Sequence, residues 1–182
     1  NLQTLNLNWC EKLESLPERF GELTNLQTLN LMMCEKLKSL PEGFGELENL
    51  EVLNLSGCEK LASLPERFGD LKNLQTLNLT WCEKLVSLSE GFGELENLQT
   101  LSLSECYSLV SLPKRFGELN LTDIDFGYCK KLDLALIFDV IFKFEGLTKL
   151  SLEGLKMESL PERFGELRNL QTLNLNSCYK LG

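Results

Sequence analysis

The side chains best equipped for chemistry in this sequence are seven cysteines, the aspartates Asp123 and Asp125, and a scatter of aromatic and thioether groups that includes Trp9, Met32, Met33, Trp81 and Tyr128. Cysteines can ligate a metal or form disulfides, and paired aspartates can act as acid and base or hold calcium. Both uses need company. A calcium site wants further oxygen ligands and carboxylate catalysis wants a pocket that closes water out, and neither is legible around Asp123 and Asp125. The chain has no histidine, which removes imidazole as general base, as metal ligand and as a member of hydrolytic triads. Gly43 and Gly45 form a Gly-x-Gly that recurs at Gly91 and follows no strand directly, so it is not a dinucleotide loop. The expectation is a protein that is not an enzyme, with no catalytic residue, no metal ligand and no cofactor.

Composition narrows the partners. Lys and Arg number 18 against 27 Asp and Glu, a net charge of −9, and so acidic a surface repels phosphate backbones. Nucleic acid is excluded as a partner on that ground. The longest apolar run, Leu134 to Phe138, is far short of the ~18 residues of a membrane helix, so no membrane insertion is expected. The odd number of cysteines leaves a thiol over in any internal pairing, which fits a reducing compartment and gives cytoplasmic as the expected location.

The elements that must position these side chains follow from a repeat. The string that opens at Asn1, NLQTLNLNWCEKLESLPERFGELT, restarts at Asn25, Asn49, Asn73, Asn97, Asn120, Gly146 and Asn169. The units are 1–24, 25–48, 49–72, 73–96, 97–119, an irregular 120–145, 146–168 and a truncated 169–182, all in one array. Within the first unit, apolar and polar residues alternate around Thr4 to Asn8, the period of a strand. Leu13, Leu16, Phe20 and Leu23 then recur three or four apart, with Pro17 suited to the opening of a helical turn and Gly21 to its end. A strand and a short helical return in every unit bring successive strands together in parallel, coiling the chain into a solenoid. No unit can bury enough surface to fold alone, so neighbouring coils must stabilise one another. Both ends lack an atypical polar cover, and the chain is expected to be part of a longer polypeptide.

The pattern LxxLxLxxCxxLxxLPxxFGxLxNL resembles the leucine-rich repeat family over the whole chain, with the sixth unit the poorest match. Its cysteine position and its LPxxFGxLxNL return are similar to those of plant intracellular nucleotide-binding leucine-rich repeat receptors of the disease-resistance type. The resemblance implies an α/β fold: a right-handed solenoid or horseshoe, with a parallel β-sheet on the concave face and short helices or 3-10 turns on the convex face. It also implies recognition of a protein or peptide on the concave face, as the sensor part of a larger cytoplasmic receptor in plant defence signalling. Two other functions stay open. One is the substrate-recruiting part of an enzyme such as a ubiquitin ligase. The other is a passive scaffold without a ligand, which the near-identity of the units keeps in play: the second and fourth differ only at Met32/Thr80, Met33/Trp81, Lys38/Val86 and Pro41/Ser89.

Aligned units give columns. The cysteine column, Cys10, Cys34, Cys58, Cys82, Cys106, Cys129 and Cys178 with Leu155 at the matching place, points inward, and free thiols donating weakly to turn carbonyls are expected rather than a disulfide ladder. The asparagine column, Asn6, Asn30, Asn54, Asn78 and Asn174, is expected to bond amide to amide across the strands. The sequons at Asn54, Asn78 and Asn120 read as accidents of a repeat with Leu between Asn and Ser or Thr. Individuality lies at the strand ends. There Trp9, Met32, Met33, Thr80, Trp81, Glu105 and Tyr128, with Asp123 and Asp125 on the strand of the sixth unit, are the candidate binding residues; aromatic and Met side chains anchor interfaces, and the aspartates would suit a basic partner. Around the outer returns Arg19, Arg67, Arg115 and Arg163 sit beside glutamates as a solvated face. From Lys130 to Gly146 the pattern breaks into a longer helix, with Asp139 and Lys143 paired four apart. Its Phe138, Phe142 and Phe144 are either packed over neighbouring coils or left as a docking surface.

Overall fold

The computed structural model describes all 182 residues. Eight three-residue strands form one parallel sheet in chain order: β1 Thr4–Asn6, β2 Thr28–Asn30, β3 Val52–Asn54, β4 Thr76–Asn78, β5 Thr100–Ser102, β6 Asp123–Asp125, β7 Lys149–Ser151 and β8 Thr172–Asn174. Thr4 pairs with Thr28, Leu5 with Leu29 and Asn6 with Asn30, and the same register repeats along the stack. The central residue of every strand points inward, while its neighbours face out on the sheet side. On the opposite side the chain returns through 3-10 turns such as Glu18–Glu22, Glu42–Glu46 and Glu66–Asp70. The interior is a single cluster of 48 buried residues, most of them Leu.

Phe20, Phe44, Phe68, Phe92 and Phe116 stack beneath the returns with ring centroids 6.0 to 6.2 Å apart. Strands lie only about 4.8 Å apart. The stack therefore widens from sheet to return, which puts the sheet on the inner, concave side. Bulky rings on one side and bare backbone pairing on the other set the curvature.

Pro17, Pro41, Pro65 and Pro161 open their turns with φ between −59° and −65°, the angle proline prefers. The glycine of each return has a different role from the one its place suggests: Gly21, Gly45 and Gly69 lie inside the turn, not at its end. A Cβ on any of them would overlap the carbonyl oxygen of the following turn, at Gly43, Arg67 and Gly91 respectively. Ser89 replaces the proline in the fourth unit at φ −61°, and its hydroxyl is buried without a partner. Ser89→Pro should stabilise the chain by about 1 kcal/mol, by stiffening the unfolded chain and removing the orphan hydroxyl. A lower urea midpoint for the variant would contradict this.

The irregular unit carries the one α-helix, α1 Leu134–Ile141, capped by Asp133, whose side chain accepts from the Ala135 N–H at 2.9 Å. Lys143 and Asp139 are paired at 2.7 Å. Ile137, Val140, Ile141 and Phe144 are buried, and the Phe144 ring meets Phe116 edge-on at 6.1 Å, ending the stacked phenylalanine row. Phe138 and Phe142 are half-buried. Phe142 packs against the Phe164 ring at 6.4 Å and under the Arg163 guanidinium at 4.6 Å. So Phe144 is core, and the other two rings form a partly covered outer layer. No helix is long and apolar enough to cross a membrane.

Candidate functional site

The strand ends are built by a turn repeated in every coil. The Cys10 N–H donates to the Leu7 carbonyl at 3.3 Å, closing a four-residue turn whose third residue, Trp9, has φ 62°. Asn6 initiates it: its Oδ1 accepts the Asn8 N–H at 3.0 Å. Asn30, Asn54, Asn78 and Asn174 do the same at 2.9 to 3.1 Å, and Asp125 substitutes for Asn in the sixth unit at 2.7 Å. This corrects the expected amide-to-amide ladder. A short Asn side chain reaches its own backbone two residues on more readily than a neighbouring strand's amide. The cross-coil asparagine ladder sits in the other Asn column, where Asn49, Asn73, Asn97, Asn120 and Asn169 donate Nδ2 to a carbonyl of the preceding coil at 2.7 to 3.0 Å.

The cysteines are free. Cys34, Cys58, Cys82, Cys106, Cys129 and Cys178 each donate Sγ–H to a turn carbonyl one coil back, at 3.0 to 3.4 Å. Burial pushes the Cys58 and Cys106 thiols up to about 12, and raises those of Cys82 and Cys129 as well. A thiol held protonated and out of water acts as a packing group.

The candidate residues at the strand ends separate into two columns, apart from Asp123 and Asp125 on β6. Met32 and Thr80 belong to the first, on the sheet face and half-buried, with Thr80 Oγ1 2.7 Å from Ser102 Oγ. The second column is the turn residue with positive φ: Trp9, Met33, Gly57, Trp81, Glu105, Tyr128, Gly154 and Ser177, at 55° to 74°. Trp9 and Trp81 are 57% and 43% exposed. They stand three coils apart, roughly 14 Å along the sheet, so they flank a surface and do not form one cluster. Gly57 and Gly154 receive the side chains of the coil before: a Cβ at Gly57 would overlap Met33 Sδ, and one at Gly154 the Tyr128 ring. The two aspartates are not an open acidic patch. Asp123 pairs with Lys149 Nζ at 3.3 Å, and Asp125 is tied into its turn, burial raising its pKa.

The structure brings Glu105 and Tyr128 together, and it adds three side chains the candidate set lacks: Tyr107, Lys130 and Glu153. Tyr107 Oη donates to Glu105 Oε2 at 2.5 Å, a bond that pushes the phenol up to about 12. Tyr128 Oη donates to Glu153 Oε1 at 3.3 Å. A signal for the first two was present in the column after the cysteine, which reads Glu11, Glu35, Glu59 and Glu83 before changing to Tyr107 and Lys130.

Comparison with known proteins places this architecture. The family model for a leucine-rich repeat region matches residues 1–103. No curated protein matches the chain. Among solved structures, a leucine-rich repeat protein of Leptospira interrogans is 29% identical with a TM-score of 0.60, covering 97% of this chain and 55% of its own. A plant ice-binding protein aligns at 22% identity and TM-score 0.64, covering 99% of this chain and 61% of its own. The leucine-rich repeat domain of the type III effector XopL aligns at 23% identity and TM-score 0.55, covering 89% and 73%. The chain thus spans little more than half the length of the first two. With the repeat matched over more than half of its residues and the same coil wound from β1 to β8, the chain belongs to the leucine-rich repeat family.

Proposed function

We propose that the chain is a recognition module that takes a protein or peptide along its concave sheet and the adjoining turn column, as the sensor repeats of a larger cytoplasmic receptor. The observation that carries the reading is the turn column. Six of its eight residues are not glycine although every one has positive φ, and each such L-residue costs on the order of 1 kcal/mol relative to glycine. The strained positions hold Trp9, Met33, Trp81, Glu105, Tyr128 and Ser177. A scaffold without a ligand would gain stability from glycine at all of them. Side chains held against that gradient at an exposed rim are the ones expected to touch a partner.

The receptor assignment is supported by the cysteine column and the LPxxFGxLxNL return, which resemble those of plant disease-resistance receptors. A substrate-recruiting arm of a ubiquitin ligase would use the same surface and differ in the domain joined to it. The test exchanges Trp9 and Trp81 for glycine. Partner binding should fall by about thirtyfold or more, the scale of an interface hot spot, while the unfolding midpoint holds or rises as strain is released. Unchanged binding with a folded chain removes the reading.

A further inference from the structure

The outward positions of β1 to β5 carry no charge: Thr4 and Asn6, Thr28 and Asn30, Val52 and Asn54, Thr76 and Asn78, Thr100 and Ser102. Charge begins at β6, beside a group drawn from three successive coils. Lys130 Nζ lies 5.7 Å from the centre of the Tyr107 ring and 5.5 Å from that of Tyr128. It makes no ion pair within 4.0 Å, and neither Glu105 nor Glu153 has a cationic partner within that distance. The carboxylates instead accept from the two tyrosine hydroxyls, and Glu153 Oε2 also accepts from Asn174 Nδ2 at 2.9 Å. Both rings are therefore fixed at their tips. Tyr128 is fixed at its face too, since its ring lies where a Cβ at residue 154 would go and Gly154 leaves that space.

We infer that Tyr107 and Tyr128, with Glu105 and Glu153 at their hydroxyl ends, form a clamp for an arginine side chain of the bound protein, and that Lys130 fills the clamp until the partner arrives. The inference deepens the recognition reading and rests on it. Two aromatic faces attract any cation. Two carboxylates without counter-ions favour one that also offers hydrogen bonds in a plane, and guanidinium does so: it stacks on an aromatic face and presents a fork to a carboxylate, where an ammonium offers a compact and strongly hydrated charge. Lys130 is suited to leave because only the ring faces and water hold it. Rings already locked need no ordering on binding, which lowers its cost. The chain's net charge of −9 favours a basic segment over an acidic one.

The test uses a short capped peptide, acetyl-Gly-Arg-Gly-amide, titrated into the full chain while the tyrosine ring protons are followed by NMR. The citrulline peptide, equal in shape and uncharged, and the lysine peptide are the controls. The arginine peptide should shift the Tyr107 and Tyr128 ring signals, the citrulline peptide should leave them unmoved, and the lysine peptide should bind more weakly. Lys130→Ala should strengthen arginine binding about tenfold by vacating both ring faces. Tyr107→Leu in the Lys130→Ala background should abolish it, with far-UV circular dichroism confirming the fold. Equal shifts from arginine and citrulline peptides, or no gain from Lys130→Ala, would overturn the clamp. Loss of partner binding in the Trp9 and Trp81 variants would still leave the wider recognition surface standing. Retained peptide binding beside unchanged partner binding in those variants would remove the wider reading and keep the arginine site.

Discussion

Gly69→Ala is expected to lower the stability of the chain by about 3 kcal/mol or more. A methyl group at this position would overlap the Gly91 carbonyl oxygen and stand 2.6 Å from its carbon. Both atoms are backbone, so no side chain can rotate away and relieve the contact. Two coils would have to part along the return side, opening the contact between the Phe68 and Phe92 rings, which stack at 6.0 Å. In a solenoid each coil contacts only its neighbours, so a defect between the third and fourth coils weakens the whole stack. Gly165 provides the control in the same Phe-Gly step, with nothing within 4 Å of its added Cβ. Gly165→Ala should be neutral or should stabilise by about 0.4 to 1 kcal/mol through the unfolded chain. Urea unfolding of the two variants beside the parent separates these outcomes, and equal midpoints would refute the close-approach account.

The second large effect is alkaline. Cys58 and Cys106 are pushed up to about 12 by burial, and Cys82 and Cys129 are raised for the same reason. In the unfolded chain a thiol loses its proton near pH 8.5. Below that pH both states are protonated and the stability is intact. Above it the unfolded state binds fewer protons than the folded state, so stability falls as pH rises, at about 1.4 kcal/mol per thiol per pH unit. Cys34 is raised by burial as well, so all five thiols act in the same direction and stability falls steeply between pH 9 and pH 11. Leu155 occupies the matching place in the seventh unit and is buried, so the column accepts a side chain without a proton to lose. Urea midpoints taken from pH 7 to pH 11 should drop steeply for the parent, and less steeply for Cys82→Ala, which has one sequestered thiol fewer. A flat profile across that range would mean that the thiols are not sequestered.

The scaffold was legible because every coil solves the same problem. Period-two alternation gave the strands, the three-to-four spacing gave the returns, and the unit length made the strands parallel. The cysteine column was legible too, since a uniform small apolar group next to a turn has little else to do. Two features were not. The strand asparagines face outward as their alternation requires, but which group their Oδ1 meets depends on a local turn that periodicity does not encode. Gly21, Gly45 and Gly69 looked like turn endings, and only the approach of the next coil's carbonyl shows why a methyl is excluded there. The candidate surface was legible column by column. Trp9, Trp81 and Tyr128 stand out against near-constant neighbours, but Tyr107 and Lys130 lie in the column after the cysteine and Glu153 in another, on three different units. Their meeting is a product of stacking, and it becomes visible only when the coils are laid on one another.

The proposed division of labour gives the return side to the stack and the sheet side to the partner. Its most direct test places the photo-crosslinking residue p-benzoylphenylalanine at position 81, on the turn column, or at position 67, in the exposed 3-10 turn of the return. Irradiation in the cells that make the protein should yield a crosslinked species from position 81 that position 67 does not give. The same species in equal yield from both positions, or from position 67 alone, would contradict it.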